Sequence, residues 1–208
     1  MYAYTIEPLS MNRLDYLGCL LILATGVVCA YIYLRESDFQ LKCIVSGIDG
    51  NKYCVRDRAK LQDAADLLAR VTEKCKALVA YMVDRHPNNE TVAMLVKNYN
   101  PEKIMETLPT STYTAYSENK GEKIAFCLNK KKLDNDDLID EHTLMFVAIH
   151  EMSHTCTESV GHKEIFWTNF SFLLANAKAA GIHEPRDYSS SPAEYCGMEI
   201  KDSPYFQL

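Results

Sequence analysis

Residues 16–34, YLGCLLILATGVVCAYIYL, run for nineteen positions without a charged side chain, and this constrains the 208-residue chain most. A helix needs about 20 predominantly apolar residues to cross the hydrocarbon of a bilayer. Five turns without a polar face leave no side for water, so such a helix needs apolar surroundings all round. Tyr16, Tyr31 and Tyr33 stand near its ends, where amphipathic rings favour the membrane interface, and Arg13 and Arg35 bracket it. We read a transmembrane signal anchor over 16–34 behind an N-terminal flank at 1–15. A cleaved signal peptide is the competing reading: Val28-Cys29-Ala30 offers a small-residue cleavage site, and secretion would follow. Lys42, Lys52, Arg56, Arg58 and Lys60 follow the run, against Arg13 before it, a bias that favours a cytoplasmic C-terminal domain.

Behind the anchor the pattern predicts a linker with a short strand at 35–50 and one domain at 51–208. Apolar residues make up 48% of the chain, enough for a packed core. Asp49-Gly50 before Lys52-Tyr53-Cys54-Val55 is hairpin chemistry. Leu61, Leu68, Val71, Cys75, Leu78 and Met82 recur at helical spacing and predict a helix over 58–84, ended by His86-Pro87. A second helix is expected at 90–97. Residues 113–116 and 123–128 flank Asn119-Lys120-Gly121 and predict a second hairpin. The acidic cluster at 134–137 suits the start of a long helix running through Met152. Another helix is expected at 163–180, with Gly181 closing it. The tail from His183, rich in Ser, Pro and Tyr, reads as irregular. Strands mixed with helices in this order make an α+β domain.

His150-Glu151-Met152-Ser153-His154 is an HExxH pentapeptide inside one of the predicted helices. Positions i and i+4 share a helix face, so both imidazoles can reach one metal ion. Zinc lowers the pKa of a bound water to about 7, and a carboxylate beside the first ligand can then take its proton. Glu151 holds that position, which points to peptide-bond hydrolysis. A catalytic zinc takes three protein ligands and keeps a fourth position open. His162, just past the turn residue Gly161, is the favoured third ligand; Glu158, Glu184, Glu194 and His183 compete with it. Tyr188 and Tyr195, beyond the following helix, are candidates for stabilising an oxyanion. A peptide or protein substrate could add to the hairpin over 113–128 as an extra strand.

The stretch HEMSHTCTESVGHKEIFW resembles the active-site signature of the WLM (Wss1-like) metalloproteases and their SprT-like relatives. In that signature an HExxH helix is followed by a loop, a third His and an aromatic pair, here matched by Phe166-Trp167. The loop between His154 and His162 is longer than in the usual form. Tyr113-Thr114-Ala115-Tyr116-Ser117, Asn119-Lys120-Gly121-Glu122, Phe126-Cys127-Leu128 and Tyr195-Cys196-Gly197 extend the resemblance to uncharacterised WLM-like proteins of large DNA viruses and protists. It covers roughly residues 51–204. It implies a minimal zincin-like zinc metallopeptidase: a small sheet, an active-site helix and supporting helices.

Charge narrows the partners. Acidic residues number 28 against 22 basic ones, for a net charge of -6, and no Arg/Lys/aromatic surface is evident. That argues against nucleic acid as the main partner, and so against the protein–DNA crosslink repair that WLM resemblance suggests. A catalytically silent zincin fold serving a membrane or virion structure is the other alternative, against which the intact Glu151 stands. Nothing in the sequence marks an oligomeric state. The eight cysteines form no CxxC pair, so a cysteine-based zinc site has no support. Buried free thiols in a reducing compartment are the default expectation, with disulfides open because the count is even.

Overall fold

The computed structural model describes residues 12–38, 41–132 and 137–207. The chain divides into two compact units, with the break at Phe39–Gln40. The first carries helix α1 (Arg13–Asp38), whose span of 21 residues from Arg13 to Tyr33 is long and apolar enough to cross a membrane. None of that span is buried.

The second unit is α+β. It opens with strands β1 (Leu41–Val45) and β2 (Lys52–Arg56), paired antiparallel. Helices α2 (Leu61–Arg85) and α3 (Glu90–Asn98) follow, then β3 (Ile104–Glu106) and the hairpin of β4 (Ala115–Glu118) and β5 (Lys123–Phe126). Next come α4 (Glu141–Thr155) and α5 (Glu164–Ala179). The five strands form one sheet in the order β1-β2-β3-β5-β4, so β4 is an edge. β3 runs parallel to both β2 and β5. Three residues carry too little alternation to announce a strand, and β3 escaped the sequence pattern.

The first hairpin is closed by its own turn and by α2. Gly50 takes φ +73°, and the Ser46 amide donates to the Asn51 carbonyl. The Ser46 hydroxyl and the Gly47 amide both donate to the Asp66 carboxylate on α2. The core lies between the sheet and helices α2, α4 and α5, with Leu68, Leu78, Leu144, Ile149, Phe166 and Leu174 all fully buried. Arg56 and Arg58, two members of the basic cluster after the apolar run, are buried in ion pairs with Glu106.

Three expectations are corrected. The N-cap of α4 is Asp140, whose carboxylate accepts from the Thr143 amide, so the helix begins after the acidic cluster rather than in it. Of that cluster, residues 134–136 lie outside the described residues. The tail is irregular only as far as residue 192: β6 (Ala193–Tyr195) and β7 (Met198–Ile200) then form a hairpin, followed by a 3-10 turn at Pro204–Phe206. Its two-residue turn, Cys196 at φ +51° and Gly197 at φ +78°, has the left-handed pair that a tight hairpin wants.

The third correction concerns the thiols. Cys43 and Cys54 stand directly opposite each other in the β1–β2 ladder and form a disulfide. Cys127, just past β5, is bonded to Cys196 in the β6–β7 turn, 69 positions away. Cys75 in α2 and Cys156 at the C-cap of α4 remain buried free thiols, as expected of cysteines in apolar surroundings. Pairing was set by strand register and hairpin docking, neither of which a cysteine count contains.

Candidate metal centre

Helix α4 is buried along nearly its whole length and delivers three of the candidate site's side chains, His150, Glu151 and His154, in its last two turns. His150 and His154, one turn apart, present their rings side by side with centroids 5.0 Å apart. The segment after α4 turns at Gly161, at φ +81°, and returns His162 to the same place. His162 Nε2 lies 3.1 Å from His150 Nε2. One ligand atom from each of the three histidines lies within 4.8 Å of the others. Nitrogens around a tetrahedral zinc at 2.0–2.1 Å stand about 3.3 Å apart, so this donor set fits the ion with small adjustments.

Aromatic rings fix the imidazoles. Phe166 is fully buried and touches all three, stacking on His154 at a centroid distance of 4.3 Å. Trp167 lies beside His162 and donates its indole N–H to the His162 carbonyl at 3.1 Å. Burial, then the nearby His154 and His162, pushes His150 down to about 3. Burial, then His162 and the Lys120 ammonium, pushes His154 down to about 4. Both rings are thus neutral near pH 7, the form that binds metal.

Glu151 is 5% exposed, and burial pushes its carboxyl up to about 8. It opens, with His150 and His154, into a cleft of about 1490 Å³. The edge strand β4 forms one wall of this cleft, and Met198 and Ile200 of β7 line another part. Tyr195 lines it too. Its hydroxyl donates to the Thr114 carbonyl at 3.1 Å, and its phenol is raised by burial and by the neighbouring Glu151 carboxylate.

Tyr188 does not reach the cleft. It is fully buried against Phe146, with its ring centroid 4.8 Å away, and its electrostatic neighbours are Arg186 and Asp140 at the start of α4. The rival third ligands also lie elsewhere. His183 packs on His142 at 4.3 Å, Glu184 pairs with Lys178, and Glu158 and Glu194 are exposed outside the histidine cluster.

Three polar residues to which the sequence reading gave no part in the site support the segment around Thr155–Ser159. The Asn98 side-chain amide donates to the Thr155 carbonyl at 2.8 Å. Asn169 of α5 donates to the Cys156 carbonyl and the Thr157 hydroxyl. Lys120 donates to three carbonyls of the same segment. Isolated Asn and Lys residues carry no pattern that separates these contacts from solvated ones.

No family model matches the chain. It is 24% identical to the uncharacterised protein R325 of Acanthamoeba polyphaga mimivirus over 185 residues, which cover 87% of this chain and 93% of that protein. It is 30% identical over 70 residues to the uncharacterised protein 136R of invertebrate iridescent virus 6, covering 34% of this chain and 39% of that one. Among solved structures, Wss1 from Saccharomyces cerevisiae aligns with a TM-score of 0.45 and 17% identity, over 61% of this chain and 89% of that one.

Proposed function

We propose that this chain is a membrane-anchored, zinc-dependent peptidase of the WLM type. The observation that carries the reading is the meeting of His150, His154 and His162 within 4.8 Å at the wall of a large cleft that Glu151 shares. His150, His154 and His162 would hold the metal through their imidazole nitrogens. When bound, zinc supplies a Lewis acid that polarises the scissile carbonyl and makes water acidic near neutral pH.

The chain's own residues do the rest. Burial alone favours the protonated form of Glu151, and a cation held by the three histidines would favour its carboxylate. That carboxylate takes a proton from the attacking water and passes it to the leaving amide nitrogen. The edge of β4 offers unpaired backbone N–H and C=O groups, to which an extended peptide can add as a further strand. Tyr195 stands in the cleft as the hydroxyl that can turn from the Thr114 carbonyl toward a developing oxyanion. Helix α1 serves as the anchor. The two disulfides favour the oxidising side of that membrane, against the side that the basic residues after the anchor suggest.

The experiment is metal analysis and turnover of a denatured protein substrate, on the wild type and Glu151→Gln. The variant should keep its zinc and lose about 10²–10⁴-fold in turnover, the range for removing a general base. Equal turnover in the two proteins would refute the role of Glu151, and a wild type without zinc would refute the metal centre.

A further inference from the structure

The loop that brings His162 back to α4 is held by a residue from the β4–β5 hairpin. Lys120, in the β4–β5 turn, donates from its ammonium to the carbonyls of Thr157 at 2.8 Å, Glu158 at 2.9 Å and Ser159 at 3.2 Å. A lysine ammonium has three protons and accepts nothing, so this one segment matches its whole donor capacity. These carbonyls lie just past the C-terminal end of α4, where the helix dipole favours a cation.

The backbone of Lys120 sits at φ +62°, after Asn119 at φ +48°. Left-handed backbone is unfavourable for a lysine and tolerable for an asparagine, so the turn alone gives no reason for lysine there. On its other side the segment is tied to α5 by Asn169, which donates to the Cys156 carbonyl and the Thr157 hydroxyl. Past Ser159 the tip is open: Val160 is 82% exposed and Gly161 turns the chain. The last fixed point before His162 is therefore the Lys120 clamp.

We propose that Lys120 is a positioning residue for the third metal ligand: by gripping residues 157–159 it orders the loop so that His162 meets His150 and His154 before any ion binds. This rests on the zinc reading above. A loop left free would have to be ordered by the metal itself, and that ordering entropy would be subtracted from the affinity. Eight positions separate His154 from His162, which makes the loop long enough to need such a clamp.

The test uses the full chain in detergent. Zinc affinity is measured by competition with a chromophoric chelator for the wild type, Lys120→Asn and Lys120→Arg, alongside the thermal midpoint of each metal-free protein. Asparagine keeps the left-handed turn and cannot span to the carbonyls; arginine keeps charge and donors. Lys120→Asn should bind zinc about 10–100-fold more weakly, as when groups that orient metal ligands are removed. Its metal-free midpoint should stay at the wild-type value, and Lys120→Arg should restore most of the affinity. Wild-type affinity in Lys120→Asn overturns the proposal. So does a loss that follows a lowered metal-free midpoint, or one that arginine does not restore. A wild type that binds no zinc overturns the zinc reading as well, whereas zinc bound equally by wild type and Lys120→Asn overturns this inference alone.

Discussion

Helices α1 and α4 both lack the single polar stripe that a surface helix turns to water, and they meet opposite fates. In α4, Leu144, Met145, Ile149 and Met152 are fully buried, and even Glu151 and Ser153 are covered. In α1 none of the apolar span is buried, and Leu17, Leu20, Leu23 and Val27 are each 60% or more exposed. A helix without a polar face needs an apolar environment all round. For α4 that environment is protein: the sheet, α2, α3 and α5 surround it. For α1 it is absent from the chain's own described residues, and a bilayer has the matching thickness. Apolar residues spread round a helix serve two purposes here. Dry protein around α4 holds imidazoles rigidly; dry lipid around α1 would hold only an anchor.

The comparison can be broken at either helix. Leu144→Ala opens a cavity at a fully buried position of the core and should cost about 2–5 kcal/mol in denaturant unfolding. A cost near zero would mean that α4 is not the centre of the core. Leu23→Arg puts a charge in the middle of α1, where insertion is penalised by about 2.5–3.5 kcal/mol. The alkali-resistant membrane fraction should fall, and an unchanged fraction would show that α1 does not span.

Smaller effects sharpen the contrast. Gly121, at φ +111°, lies against the end of α4: an added Cβ would meet Thr155 Cγ2 at 2.5 Å and the Asn98 carbonyl at 2.9 Å. Gly121→Ala should therefore destabilise the domain by about 1–3 kcal/mol, read from the same unfolding curve. Leu20→Ala in α1 is the counterpart of Leu144→Ala and should leave domain unfolding within about 0.5 kcal/mol of wild type. A larger change would mean that α1 shares in the domain's folding.

Legibility followed the range of the interactions. The pair His150 and His154 was readable because one helical turn is a local geometry. Helices α2, α3 and α5 were visible within a few residues of their ends for the same reason, as were both early hairpins. β3 was invisible because its stability comes from strands on either side rather than from its three residues. The β6–β7 hairpin was hidden in a stretch of Ser, Pro and Tyr, since a docked hairpin needs little alternation of its own. Tyr188 and Tyr195 looked equivalent in the sequence. They separate only because one packs at the start of α4 and the other is carried to the cleft by a hairpin stapled through Cys127–Cys196.

What the sequence determined by itself is whatever repeats at short range: an uncharged nineteen-residue run, helical spacing, and a His-Glu-x-x-His helix face. What only the tertiary structure decided is which distant groups meet that face. His162 rather than Glu158, Glu184, Glu194 or His183 completes the cluster, and Lys120 and Asn169 grip the loop that carries it. The physical reason is that long-range contacts are chosen by packing. Sheet order, the docking of α5 on α4 and the close approach at Gly121 settle which side chains share a cleft, and none of these is written in the spacing of residues along the chain.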